Sequence, residues 1–139
     1  MDSNYYIMFP EIHFAVVKFH TPTITIEDAQ RINHEYKSDR RYSEIEYLLV
    51  IVENCIPSFD AKDLSQLSEL YNTPLQSNNH KKVVWLVTSP LLTAFTHLFV
   101  SLTDGNLYCS TLEQAFKLLD LKLTFKEFKL LINVHLTTD

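Results

Sequence analysis

Glycine occurs once in this chain of 139 residues, at Gly105. A Walker loop, a Rossmann fingerprint and a nucleophile elbow each need several glycines where the backbone turns tightly or approaches a ligand. One glycine excludes all three. What remains must be built from side-chain pattern, and the apolar content supplies it: 46% of residues are hydrophobic and 12% aromatic, too many for a disordered chain. At this length one core is the expectation. With no repeat, low-complexity tract or Pro/Ser-rich linker, residues 1–139 read as a single domain.

The period of that pattern switches repeatedly along the chain. Tyr5–Phe9 and Ile12–Phe19 are β-branched and aromatic runs divided by Pro10-Glu11, which predicts two strands and a tight turn. From Ile26 the apolar residues Ile26, Ala29, Ile32 and Tyr36 recur at helical spacing, behind a Thr25/Asp28 capping box. Tyr47–Val52 is apolar almost throughout, the pattern of a central strand covered on both faces. Asp60 caps an expected helix over Ala61–Tyr71, and Asn72–Asn79 reads as a loop. Val83–Val87 is a second buried strand. Leu91, Phe95, Leu98, Phe99 and Leu102 then line one helix face. A turn at Asp104-Gly105-Asn106 leads into a short strand, Leu107–Cys109. Ser110/Glu113 and Thr124/Glu127 are two further capping boxes, the second opening a C-terminal helix over about 125–136. Strands alternating with helices predict an α/β fold: a mostly parallel sheet of about five strands, an N-terminal antiparallel hairpin, and helices packed on the sheet.

Chemistry is sparse along this framework. The six histidines form no i, i+4 helical pair and none shares a short segment with a cysteine, so no metal centre is expected. His13 and His20 are read as lying on opposite faces of one strand. Glu44 and Glu46 lead into a strand as solvated acids. Arg40-Arg41 and Lys81-Lys82 precede two strands and, if these are parallel, lie at one end of the sheet. Core is the expectation for Phe14, Phe95, Phe99, Phe116 and Phe128, whereas Tyr5, Tyr6, Tyr42 and Tyr71 are candidates for a groove or a dimer surface. A net charge of −5 argues against a nucleic-acid partner. Residues 1–9 lack the features of a signal peptide, no window reaches the length of a membrane helix, and Cys55 and Cys109 make no paired motif. A cytoplasmic protein with reduced thiols is expected.

Three stretches resemble the STAS domain family in its SpoIIAA-like branch, which shades into Sec14-like domains. Residues 48–64, LLVIVENCIPSFDAKDL, are similar to that family's central strand, connecting loop and helix start. Residues 82–102, KVVWLVTSPLLTAFTHLFVSL, are similar to its next strand and long helix. Residues 107–119, LYCSTLEQAFKLL, are similar to its last strand and helix, with Glu113, Ala115 and Phe116 matching an acid-x-Ala-aromatic signature. The likeness spans about residues 5–120 and implies a SpoIIAA-like fold in a bacterial regulatory setting. In the family's anti-sigma-factor antagonists, the helix after the central strand opens with Asp-Ser-x-Gly, whose serine is phosphorylated. Here that place reads Asp60-Ala61-Lys62-Asp63, without the hydroxyl, and Ser58 is at best a displaced substitute.

These readings converge on a non-enzymatic interaction or regulatory module, needing no cofactor. It would bind an unidentified protein through a helix face and the 54–60 loop, with Cys55, Ser58, Phe59, Asp60 and Tyr71 as the contact candidates. The alternative is a Sec14-like carrier of a lipid or other hydrophobic molecule. The C-terminal helix lies beyond the family likeness, and a homodimer is one way to cover its apolar face.

Overall fold

The structure is a computed structural model and describes residues 4–19, 21–52, 56–58, 62, 82–88 and 106–136. Strands β1 (Tyr5–Phe9), β2 (Phe14–Phe19), β4 (Tyr47–Val52), β6 (Lys82–Val87) and β7 (Asn106–Cys109) form one sheet in the order β1-β2-β4-β6-β7. The β1–β2 pair is antiparallel and every other pair in this sheet is parallel. Helix α1 (Ile26–Ser38) follows the short strand β3 (Thr23–Thr25), and helices α2 (Leu112–Leu119) and α3 (Phe125–Leu136) follow β7. The α/β class, the hairpin and the mostly parallel sheet are those that the hydrophobic periods predict.

Two cores flank the sheet, and the alternation of each strand fills both. On one face Ala15, Val17, Leu48, Val50, Val83 and Trp85 pack with Ile26, Ala29, Ile32 and Tyr36 of α1. On the other, Phe14, Val16, Leu49, Ile51, Val84 and Leu86 pack with Ala115 and Leu119 of α2 and with Phe128 and Ile132 of α3. A strand paired on both sides and covered on both faces has no solvated surface, which is why β4 reads YLLVIV with no alternation of polarity. Phe128 and Ile132 of α3 are therefore covered within their own chain.

The helix starts follow the boxes in the sequence, with one shift. Thr25 Oγ1 accepts from the Asp28 N–H at 3.2 Å, and Asp28 returns a carboxylate to the Thr25 N–H at 3.0 Å. Thr124 and Glu127 do the same for α3, at 3.1 and 2.7 Å. For α2 the cap is Thr111 rather than Ser110: its hydroxyl accepts from the Gln114 N–H at 3.1 Å, and the Gln114 side chain accepts from the Ser110 N–H at 3.2 Å. The Gln114 side chain thus bonds the residue before the cap and not the cap's own N–H, so only the hydroxyl half of a capping box is made here.

The turn after β1 also differs from expectation. Pro10–Ile12 form one 3-10 turn with proline at its start, and His13 adopts a left-handed conformation (φ 57°). The second strand thus begins at Phe14 and not at Ile12, and His13 is not on a strand at all. Its carbonyl instead accepts from the N–H groups of Glu46 and Tyr47, at 2.8 and 3.0 Å, tying the turn to the start of β4.

Two short strands lie outside the predicted pattern. Beyond β2 and β4, β3 pairs in parallel with β5 (Ile56–Ser58). Phe19 faces Val52 and Thr23 faces Ile56, the same offset in sequence, so the second ladder continues the register of the first. Near the join, the Thr21 N–H donates to Asn4 Oδ1 at 3.2 Å. Buried Asn4 thus supplies an acceptor where the described ladder of β2 has ended.

Three of the four tyrosines singled out as groove candidates are packing residues, and the fourth, Tyr71, lies outside the described residues. Tyr36 is buried, and the rings of Tyr6 and Tyr42 meet it edge-on at 5.6 and 5.2 Å. Tyr5 packs against the opposite core. Of the five phenylalanines expected in the core, Phe14 and Phe128 are fully buried and Phe116 partly so. Phe95 and Phe99 lie outside the described residues.

Tyr6 also reaches Asp39, its hydroxyl donating to Oδ2 at 3.1 Å. Arg41 donates to the same carboxylate from its backbone N, Nε and Nη2 at 2.9, 3.0 and 2.9 Å. These bonds, the guanidinium's first, hold the Asp39 carboxyl well below the ordinary carboxylate range. A carboxyl with a depressed folded-state pKa adds stability above its unfolded value of about 3.9, and that stability is lost as pH falls. Asp39→Asn keeps a capping oxygen and removes the charge. It is expected to cost no more than about 1 kcal/mol near pH 7, with the gap to wild type closing as urea midpoints are followed from pH 6 down to pH 2. Parallel pH profiles would show that the ion pair adds nothing.

Candidate functional site

At the carboxyl ends of β2 and β4, the β3–β5 pair places the backbone of Ser58 opposite Thr25, the residue that caps α1. Among the five candidate contact residues, Cys55, Phe59, Asp60 and Tyr71 lie outside the described residues, as does Ala61. Ser58 is described through its backbone, and Ile56–Ser58 fixes the middle of the 54–60 segment by ladder hydrogen bonds to β3. The nearby start of α1 is not a receptive anion site. Its capping box is complete, and Glu27 and Asp28 fill the first turn with negative charge.

The described strands of the parallel ladder run β2-β4-β6-β7 without a reversal of order. Open α/β sheets commonly bind ligands in the crevice where that order reverses. No such switch point occurs among the described strands.

A cleft of about 470 Å³ does open at the opposite, amino end of β2 and β4. Glu11, His13, Glu46, Asp120 and Lys122 line it, with Ile12, Tyr47 and Leu121. The two non-glycine residues with positive φ among the described residues, His13 and Asp120, both belong to it. Histidine and aspartate are among the side chains that tolerate this conformation best. His13 Nδ1 donates to the Glu44 carbonyl at 2.9 Å and lies 3.9 Å from Glu46 Oε2. Its side chain is 53% exposed, so that ion-pair geometry is a solvated one. Among the described residues no three His, Cys, Asp or Glu side chains come together as metal ligands. Glu11 and His13 belong to one turn, whereas Glu46 and Asp120 come from distant parts of the sequence, and the topology of β2, β4 and α2 brings them to the same cleft.

Of the two basic pairs, the structure gives partners to Arg41 and Lys82. Arg41 is committed to Asp39, and Lys82 Nζ donates to the Leu118 carbonyl at 2.9 Å, closing the last turn of α2 against β6. Lys81 lies outside the described residues. Cys109 is no nucleophile either. It is buried, its Sγ donates to the Thr111 carbonyl at 3.6 Å, and burial pushes the thiol up to about 11.

Among the described residues no helix is long and apolar enough to cross a membrane. No protein-family model matches the chain, and neither the curated proteins nor the solved structures give a match.

Proposed function

We propose that this chain is a non-enzymatic, STAS-like interaction module that binds a protein partner in the cytoplasm through a helix face and the 54–60 segment. The observation that carries the reading is the β3–β5 ladder. By pairing Ile56–Ser58 in register with Thr23–Thr25, it anchors the middle of that segment at the carboxyl end of the central strand pair. A segment already held in place loses less conformational entropy when a partner docks on it. The absence of a hydroxyl at Ala61 and the acidic first turn of α1 favour docking without a phosphorylation step.

Native mass spectrometry of protein purified gently from cells, repeated after denaturation, tests the class of function. The expected result is the bare chain or the chain with a second polypeptide. A small-molecule excess that vanishes on denaturation would overturn the reading in favour of a hydrophobic-ligand carrier. A covalent excess of one phosphate would restore a kinase switch, with Ser58 the first residue to map.

A further inference from the structure

We draw no further inference here: the strongest candidate, the cleft at the amino ends of β2 and β4 lined by Glu11, His13, Glu46, Asp120 and Lys122, is a solvated cluster of acidic side chains around one histidine, and nothing in the structure points to what would bind there.

Discussion

Replacing Phe128 by alanine is expected to lower stability by about 3–5 kcal/mol, the range for emptying a buried aromatic site. Phe128 has no exposed surface, and its ring lies 5.9 Å from that of Phe14 and 5.3 Å from that of Phe116. It thereby joins α3 to the sheet and to α2 at one point, and neither neighbour can collapse into the space without leaving its own contacts. Leu130, on the same helix, is 63% exposed. Leu130→Ala should stay within about 0.5 kcal/mol of wild type, as surface substitutions do. Urea midpoints measured at two protein concentrations separate this packing from a dimer interface. A large, concentration-independent loss for Phe128→Ala is predicted. A midpoint that rises with concentration in wild type, with Leu130→Ala the more damaging variant, would place the helix face between chains.

The second large effect concerns a buried polar pair. Trp85 Nε1 donates to Asn106 Oδ1 at 2.9 Å, and the two residues are 6% and 4% exposed. The bond crosses from β6 to β7, so it fixes the edge strand as well as the indole. Asn106→Leu would leave the indole N–H buried without this acceptor, at a cost of about 1–3 kcal/mol. Trp85→Phe removes the donor instead and takes this partner from the asparagine oxygen. The double substitution should cost less than the two singles together, because it removes both halves of the bond. Denaturation followed by circular dichroism measures all four proteins without relying on the sole tryptophan. Strict additivity would contradict the coupling.

The sheet was legible in the sequence because burial on both faces leaves no room for polar residues. Tyr47–Val52 and Lys82–Val87 show this directly, and α1 was marked by Ile26, Ala29, Ile32 and Tyr36 behind a true capping box. The pieces that escaped are those whose stabilisation is not local. Three-residue strands such as Thr23–Thr25 and Ile56–Ser58 carry too few side chains to show a period, and they form because the ladder of β2 and β4 resumes in the same register. Pro57 sits inside β5, where a short edge pairing accommodates a residue without an N–H. The left-handed turn at His13 was equally hidden, since histidine adopts it far less often than glycine does.

Of the candidate site, the sequence marked a segment and a missing hydroxyl, and the topology added where that segment is anchored. The structure also shows Cys109 buried and Arg41 paired with Asp39. Tyr6 and Tyr42 were attractive as groove residues because aromatic surplus has no address in a sequence. Packing against Tyr36 gives them one.

The most direct test is affinity capture from native lysate with three versions of the chain: wild type, Phe59→Asp in the 54–60 segment, and Leu130→Asp on the exposed side of α3. Circular dichroism establishes that each is folded before use. The account predicts a protein retained in near-stoichiometric amount by wild type and by Leu130→Asp, and lost with Phe59→Asp. Equal retention by all three, or loss with Leu130→Asp alone, would contradict a partner that docks through the segment anchored by β5.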